Sequence, residues 1–165
     1  MKEINDISVR NNLQPGDLGY IIYLHGKLYK QEYNYAIEFE MYVAEGLQEF
    51  FKNYDLKKDR IWICEHGKKI IGSLLLIHRE NTSAQLRYFL IEPEYRGLGL
   101  GKKLMQMLMK FFYECDYKSC YLWTTDELIS AASLYKRFGF ILTEEKISDA
   151  FGKKVKEQRY DFRVN

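Results

Sequence analysis

Cysteine and histidine are scarce in this sequence of 165 residues, which has three of each. Cys64, Cys115 and Cys120 form an odd, scattered set, which indicates reduced thiols in a cytosolic protein rather than a disulfide framework. Cys115 and Cys120 are five residues apart and have no second Cys/His pair that could complete a zinc site. The histidines lie far apart in the chain, so the sequence predicts no metal.

Net charge and long apolar runs are lacking as well. The formal net charge is +2, which is too small to indicate a nucleic-acid surface by itself. The first ten residues, MKEINDISVR, have no apolar signal core, and no uninterrupted apolar run reaches membrane-spanning length. We therefore expect a cytoplasmic protein that binds neither nucleic acid nor a membrane.

Aromatic residues, by contrast, are abundant. They make up 16% of the chain, and 14 of them are tyrosines. Tyrosine supplies apolar area and a polar tip together, so this count favours a pocket. The length fits one domain over residues 1–165, and there is no repeat, linker or low-complexity tract.

Hydrophobic periodicity predicts elements in the order β, α, α, β, β, β, α, β, α, β, β. Strands are expected at 4–9, 60–66, 70–79, 84–91, 119–125, 140–146 and 154–164, and helices at 17–31, 31–54, after the glycines near 100, and at 127–138. The second helix has one apolar stripe, predicted to consist of Ile37, Met41, Ala44, Leu47 and Phe51. Near-continuous apolar residues in the early strands predict a sheet covered on both faces. The fold class is therefore α/β (α+β), with a mixed central sheet of six to seven strands flanked by helices.

Three glycines at alternate positions, Gly97, Gly99 and Gly101, separate a predicted strand from a predicted helix. Glycine costs conformational entropy and adds no packing, so this turn should need a bare backbone. Free N–H groups and the helix dipole make such a helix N-terminus an anion site, and Lys102 and Lys103 add positive charge at its rim. The stretch predicts a site for a pyrophosphate.

Two common phosphate motifs do not fit this stretch. A Walker loop has four residues between its glycine and the Gly-Lys pair, followed by Ser or Thr. Here three residues separate Gly97 from Gly101, and Lys103 stands where the hydroxyl should be. A dinucleotide fingerprint has the spacing G-x-G-x-x-G near the start of a βαβ fold, whereas this chain has G-x-G-x-G late in its sequence.

The pattern that fits is R-x-x-G-x-G, formed by Arg96, Gly99 and Gly101. The stretch RYFLIEPEYRGLGLGKKLM resembles the acetyl-coenzyme A loop of the GNAT acyltransferases, including its Pro-x-x-Arg-Gly lead-in. AASLYKRFGF resembles the later helix-turn-strand of the same family, A-x-x-L-Y-x-x-x-G-F. The resemblance is best over residues 60–165, and the predicted element order matches that fold.

The resemblance implies a GNAT-like sheet that is splayed between its fourth and fifth strands and binds acetyl-CoA. It implies that the pantetheine arm lies in the splay and that the backbone N–H of Leu90 or Ile91 contacts the thioester carbonyl. Tyr135 would protonate the leaving thiolate. Backbone N–H groups would wrap the pyrophosphate from residues Arg96, Gly97, Leu98, Gly99, Leu100, Gly101 and Lys102.

The general base is harder to identify. The family often has a glutamate about eleven residues before the motif arginine, but Gln85 stands there and cannot act as a base. Leu128 likewise replaces an asparagine that the family places three residues before Ala131. We select Glu92 as the catalytic carboxylate. The other candidates for the base are Glu80, Glu32, Glu38, Glu40 and His78.

Three functional classes follow from these observations. The first is an N-acetyltransferase that transfers acetyl from acetyl-CoA to a primary amine by direct attack in a ternary complex. The second, favoured by Gln85, is an acetyl-CoA sensor without catalysis, and the third is a small interaction protein. The acidic and aromatic stretch LYKQEYNYAIEFEMY would suit a cationic or amphipathic amine, such as an amino acid, a polyamine or a peptide N-terminus. An exposed Tyr/Phe face could form a homodimer contact.

Overall fold

A computed structural model describes residues 3–164 of the chain. Its strands and helices follow the predicted order, with two additional short 3-10 turns at Ile4–Asp6 and Pro93–Tyr95. The strands are β1 (Ile7–Arg10), β2 (Arg60–His66), β3 (Lys69–His78), β4 (Ser83–Ile91), β5 (Ser119–Thr125), β6 (Ile141–Ser148) and β7 (Val155–Arg163). The helices are α1 (Asp17–Tyr33), α2 (Ile37–Lys52), α3 (Leu100–Glu114) and α4 (Ile129–Arg137).

The described strands form one mixed sheet of seven, in the order β1-β2-β3-β4-β5-β7-β6. Neighbouring strands are antiparallel except for β4 and β5, which run parallel. The prediction of a mixed sheet of six to seven strands is confirmed. The parallel pair needs a long crossover connection, which α3 supplies.

Helices cover the sheet on both faces, as the apolar runs predicted. Side chains alternate along β3, so that Leu74 and Leu76 face one core and Leu75 and Ile77 face the other. The first core contains the buried residues of α3 and α4, and the second contains those of α1 and α2.

Helix α3 directs its N-terminus at the end of β4. Its apolar residues recur at helical spacing, and one face of the helix is buried: Leu100, Leu104, Met105, Leu108, Phe111 and Phe112. That face packs in the first core, against β3 among other elements. Burial of this face fixes the helix, and therefore fixes the glycine-rich turn that precedes it.

Several predicted boundaries and one predicted face are wrong. Strand β1 begins at Ile7, because residues 4–6 form a 3-10 turn. Helix α2 begins at Ile37 rather than at 31, since Asn34 adopts a left-handed φ of 58° and ends α1. Helix α4 begins at Ile129 rather than at 127.

The apolar stripe predicted for α2 is only partly the buried one. Ile37, Met41 and Phe51 are more than half exposed, at 62%, 52% and 59%. Only Leu47 of the predicted stripe faces the core fully. The buried face is offset around the helix and consists of Phe39, Val43, Gly46, Leu47 and Phe50. Across residues 3–164, none of the helices is long and apolar enough to cross a membrane.

Candidate active site

Strands β4 and β5 pair only at their beginnings. The parallel register runs from Ser83 opposite Ser119 to Gln85 opposite Tyr121, and no pairing follows it in the described structure. A β-bulge lies just beyond, because β4 uses three steps from Arg87 to Leu90 where β3 uses two. Tyr88, inside the bulge, has a φ of 51°. A bulge bends its strand, and this one lies where β4 leaves β5, so the expected splay is confirmed.

A cleft of about 570 Å³ lies at the splay, between the end of α1, the end of β4, the glycine-rich turn and α4. A second cavity, of about 100 Å³, lies on the side of α1 and α2. Four residues line both spaces: Tyr29, Phe89, Leu128 and Tyr135. We call these four residues the junction. A ligand lying in the cleft can therefore meet a second ligand at the junction, through the gap between β4 and β5.

The glycine-rich turn forms the anion loop, residues 97–102, at one end of the cleft. Gly97 and Gly99 have left-handed φ values of 79° and 84°. A Cβ at Gly97 would have no neighbour within 4 Å, so the left-handed backbone conformation, and not packing, favours glycine there. Within the part of the chain that the structure describes, the backbone N–H groups of residues 97–102 donate to no acceptor, and the first helical bond runs from Lys103 to the carbonyl of Gly99. These N–H groups suit a phosphate.

Gly101 has a different reason to be glycine. A Cβ on it would lie 3.3 Å from Leu134, 3.7 Å from Ile91 and 3.8 Å from Phe89. The first turn of α3 therefore packs directly on α4 and on the end of β4. A side chain at this position would push apart the walls of the cleft.

Arg96 lies beside the anion loop but is engaged with protein groups. Its guanidinium donates to both carboxylate oxygens of Glu32, at 2.7 and 2.8 Å, and to the carbonyl of Ile91 at 2.9 Å. Its backbone N–H donates to the carbonyl of Pro93 at 3.2 Å. The predicted set of amides for the pyrophosphate therefore begins at Gly97, because the Arg96 amide already has an acceptor. Leu90 and Ile91 line the cleft wall next to it.

Tyr135 reaches the junction from α4. Its side chain is 5% exposed, and its ring packs 6.3 Å from that of Phe89 and 6.2 Å from that of Phe140. Among residues 3–164, no group is hydrogen-bonded to the Tyr135 hydroxyl. Burial raises the pKa of Tyr135 above its ordinary value, so the phenol keeps its proton at physiological pH. The hydroxyl is therefore an available proton donor.

Glu92 does not reach either cavity. It is 9% exposed, and its carboxylate forms an ion pair with Lys69, at 2.6 Å between Oε2 and Nζ. It is absent from the described walls of both spaces. This position is unfavourable for the base role that the sequence predicted, because Lys69 binds the carboxylate away from both spaces.

The other candidates for the base are also engaged or remote. Glu32 lines the cleft, but Arg96 binds its carboxylate. Glu38, Glu40, Glu80 and His78 are not among the described side chains that line either space.

Gln85 does line the smaller cavity, although it is not a base. Its Oε1 accepts hydrogen bonds from Arg79 Nε at 2.9 Å and Nη2 at 2.7 Å. Gln85 therefore holds Arg79 in place. The part of the chain that is described has no cluster of His, Cys, Asp or Glu side chains that could hold a metal ion.

The smaller cavity has aromatic walls, which the sequence predicted only in outline. Helices α1 and α2 and the turn between β6 and β7 enclose it, with Phe151 of that turn stacked on Tyr35 at 5.3 Å. The aromatic lining residues are Tyr29, Tyr35, Phe39, Tyr42, Tyr88, Phe89, Trp123, Tyr135 and Phe151. The polar lining residues are His25, Gln85, Arg87, Thr124, Thr125 and Glu157. This cavity can hold a largely apolar molecule with few polar groups.

Two of these residues, His25 and Tyr29, were not predicted as site residues. They lie four positions apart on α1, so both reach the same side of the helix. Burial raises the pKa of Tyr29, and burial lowers the pKa of His25 to about 4 despite its hydrogen bond to the carbonyl of Ile21. Both are therefore neutral near pH 7. Their spacing, together with Tyr33, is the sequence signal that could have revealed them.

Glu157 was also not predicted. It lies on β7 opposite Thr125 of β5, and its nearest described cation is Lys146, at 3.8 Å. It is the carboxylate among the described residues that line the smaller cavity. The period-two alternation of β7 places it on the face of the sheet that carries α1 and α2.

The sequence model described as the acetyltransferase (GNAT) family matches residues 26–140. A curated relative, the uncharacterised N-acetyltransferase YjgM of Escherichia coli, is 33% identical over 98 residues, which are 58% of this chain and 59% of that protein. The match therefore spans about three fifths of that relative's length.

Two solved structures cover nearly the whole chain. A GNAT-family acetyltransferase of Staphylococcus aureus has a TM-score of 0.78 at 22% identity and covers 96% of this chain and 99% of that one. Spermidine N-acetyltransferase of Vibrio cholerae, in complex with CoA and spermine, has a TM-score of 0.70 at 23% identity and covers 96% of each chain. At these identities the two structures establish the fold.

Proposed function

The chain belongs to the acetyltransferase (GNAT) family, and from that premise we propose that it transfers the acetyl group of acetyl-CoA to a primary amine of a small molecule or peptide. The two substrates would meet in a ternary complex in which the amine attacks directly. One observation supports this proposal above the others: the cleft and the smaller cavity meet at the junction, where β4 and β5 separate. A thioester in the cleft and an amine in the smaller cavity can approach each other there.

The described residues fit acetyl-CoA. The free amides of residues 97–102 and the N-terminus of α3 would bind its diphosphate, and Lys102 adds positive charge. The unpaired edges of β4 and β5 would accept the pantetheine arm. When bound, acetyl-CoA supplies an acetyl group that is activated as a thioester.

Two groups of this chain would assist acyl transfer at the junction. The backbone N–H of Leu90 or Ile91, in the wall of the cleft, would donate to the acetyl carbonyl oxygen as negative charge develops there. Tyr135 would donate its phenolic proton to the departing sulfur. Its raised pKa keeps that proton available over the whole physiological range.

The amine must lose a proton before or during its attack, because common ammonium groups have pKa values of roughly 8 to 10. We propose that Glu157 accepts this proton, directly or through water, because it is the carboxylate in the described wall of the smaller cavity. This assignment replaces Glu92, which Lys69 binds outside both cavities. His25 is unsuited to the role, since a group with a pKa of about 4 is a weak base.

A second candidate function is an acetyl-CoA sensor that lacks catalysis. Gln85 favours it, because this residue occupies the position where the family often has a glutamate and its Oε1 accepts hydrogen bonds from Arg79 and from the Tyr121 hydroxyl. In both candidates we expect the protein to act in the cytoplasm, where its free cysteines Cys64, Cys115 and Cys120 stay reduced.

The experiment that separates these functions has two steps. Titration calorimetry with acetyl-CoA and CoA tests binding, and binding should be lost in 0.5–1 M salt more readily than a purely apolar contact would be. Release of free thiol is then followed with a panel of amines that includes amino acids, spermidine and a short peptide. Binding with amine-dependent thiol release supports the enzyme, and binding without any release supports the sensor. The absence of binding would overturn both.

A further inference from the structure

Arg87 is a cation without an anion in the smaller cavity. Its guanidinium lies over two rings, 5.2 Å from the centre of Tyr42 and 4.6 Å from that of Tyr88. In the described part of the chain it donates to no acceptor, and no carboxylate lies within 4 Å of it. Two other arginines differ, since Arg79, just after β3, binds Gln85 and Arg159 of β7 binds Asp161.

The bulge in β4 explains why two donors gather here. In a regular strand Arg87 and Tyr88 would point to opposite faces, but the extra residue and the left-handed φ of Tyr88 turn both toward α2. Both crowd over Gly46 of α2. A Cβ at Gly46 would collide with the Tyr88 hydroxyl and would lie 3.0 Å from both Nη atoms of Arg87.

The Tyr88 hydroxyl is itself a buried donor without a partner. Tyr88 is 7% exposed, and no group of the described residues is hydrogen-bonded to its hydroxyl oxygen. The carboxylate in this neighbourhood is Glu49, which is exposed and lies 3.7 Å from Arg79 rather than beside Arg87. A half-buried guanidinium and a buried phenol therefore converge with no described acceptor between them, and a buried donor such as the Tyr88 hydroxyl is rarely left in that state.

We propose that Arg87 binds a carboxylate of the substrate, so that the preferred amines are amino acids or peptides whose carboxylate and amine belong to one molecule. This inference rests on the proposed function. A guanidinium is suited to two-point binding of a carboxylate, and Tyr88 supplies a third donor beside it. The aromatic walls would hold an apolar side chain, and Glu157, across β5 from β4, would face the amine end.

The same arrangement disfavours a polyamine. The acidic stretch of α1 and α2 suggested a cationic substrate, but the described lining of the smaller cavity includes no glutamate of those helices. A polyamine would place further positive charge near the unpaired guanidinium of Arg87. A binding site can gain specificity from such a like-charge contact with the wrong ligand, as well as from a favourable contact with the right one.

Matched amines test the proposal. L-phenylalanine and L-leucine are each compared with the amine that lacks only the carboxylate, phenethylamine and isoamylamine, and spermidine is included. Rates of thiol release are expressed per neutral amine, since the pairs differ in ammonium pKa. We expect kcat/KM to be at least 10-fold higher for the carboxylated member of each pair, and Arg87→Gln to remove about 10- to 100-fold from that member, a much larger loss than for the amine without the carboxylate.

Arg159→Gln is the matched control. The Arg159 guanidinium also lies over a tyrosine ring, 4.4 Å from the centre of Tyr121, but Asp161 binds it and it does not line the described cavity. It should not change the preference. Arg87→Lys, which keeps the charge but loses the two-point geometry, should restore only part of the activity toward carboxylated amines.

Each result has a distinct meaning. If wild type acetylates spermidine or the plain amines as well as the amino acids, or if Arg87→Gln lowers all rates alike, the inference is overturned and the proposed enzyme stands. If no amine reacts, binding of N-acetyl-L-phenylalanine and N-acetylphenethylamine to the CoA-loaded protein is measured instead. Tighter binding of N-acetyl-L-phenylalanine, lost in Arg87→Gln, would support the carboxylate site at Arg87 although the proposed activity fails. Equal binding of the two compounds, or no binding, would overturn both the site and the activity.

Discussion

The guanidinium of Arg96 binds the carboxylate of Glu32 at two points, with N–O distances of 2.7 and 2.8 Å. Arg96 precedes the anion loop, and Glu32 lies in the last turn of α1. The pair therefore joins the loop that would bind the diphosphate to the helix that covers the smaller cavity. It also neutralises a carboxylate in the wall of a cleft that would receive a highly anionic molecule.

Charge neutralisation at this pair predicts opposite effects of removing its two members. Arg96→Gln leaves the Glu32 carboxylate unpaired in the cleft and should weaken CoA binding about 10-fold or more. Glu32→Gln removes the negative charge and should leave the affinity unchanged or improve it about 2- to 5-fold at low salt. Titration calorimetry of both variants and of the double variant measures the coupling. A similar loss in both single variants would contradict this account and would indicate that the pair acts only by positioning α1.

The bare anion loop predicts that Gly99→Glu abolishes CoA binding while the fold persists. A side chain there strains the left-handed backbone, at a cost of about 1–2 kcal/mol, and brings a carboxylate to the phosphate amides. Gly16→Glu is a close control, because Gly16 also precedes a helix, has a φ of 97° and has no neighbour within 4 Å of an added Cβ. Both variants should lose similar stability in urea unfolding. Equal CoA affinity for Gly99→Glu and wild type would refute the loop as the phosphate site.

The position of Tyr135 at the junction predicts that Tyr135→Phe lowers kcat about 100-fold or more and leaves CoA affinity nearly intact. Burial raises the pKa of Tyr135, so the proton donor persists as the pH rises, and wild-type kcat should show no alkaline decline from this group below about pH 10. Tyr160→Phe is the control. The Tyr160 ring lies 6.3 Å from that of Tyr135 in the first core and is 2% exposed, but Tyr160 lines neither the cleft nor the smaller cavity in the described structure.

A second phenol tests this assignment. Tyr29 lines both cavities as Tyr135 does, and burial raises its pKa as well. Tyr29→Phe should change KM more than kcat if Tyr29 only shapes the junction. Unchanged kcat in Tyr135→Phe together with a large loss in Tyr29→Phe would transfer the acid role to Tyr29.

Local patterns in the sequence predicted the order of the elements and the bounds of β2 and β5, because each depends on periodicity. The splay was predicted from the resemblance to the GNAT acyltransferases, which rests on contiguous motifs. Which face of α2 is buried could not be read in this way. The helix has apolar residues on two sides, and only contact with the sheet shows that Phe39 and Val43, not Ile37 and Met41, are inside. The spacing of apolar residues alone does not show which of two apolar helix faces is buried.

The site was harder to predict than the fold, because its residues meet across strands. Glu92 looked free in the sequence, and its partner Lys69 lies at the start of β3. The joint orientation of Arg87 and Tyr88 depends on a bulge that breaks the strand alternation. A rule based on alternation therefore assigns one of these two residues to the wrong face, and it does not reveal the proposed carboxylate site at Arg87.

The burial of His25 predicts an acid-sensitive stability. Burial lowers the pKa of His25 to about 4 in the folded protein, whereas an unfolded histidine titrates near 6.5. Well above pH 6.5 His25 is neutral in the folded and the unfolded protein, so its protonation does not reduce the free energy of unfolding. As the pH falls from 6.5 to 4, only the unfolded chain takes up the proton, so the free energy of unfolding should fall, by about 2 kcal/mol between pH 7 and pH 5 from this group. Urea unfolding at the two pH values measures the total change.

Comparison of His25→Leu with the wild type isolates the contribution of His25 to this pH dependence of the free energy of unfolding. His25→Leu should remove about 2 kcal/mol of the difference between pH 7 and pH 5, because the buried group that resists protonation is gone. An unchanged pH dependence in His25→Leu would mean that the folded protein already accommodates a charged imidazole at this position. The wall of the smaller cavity would then be wetter than its aromatic lining indicates, and the apolar amine expected there would lose its support.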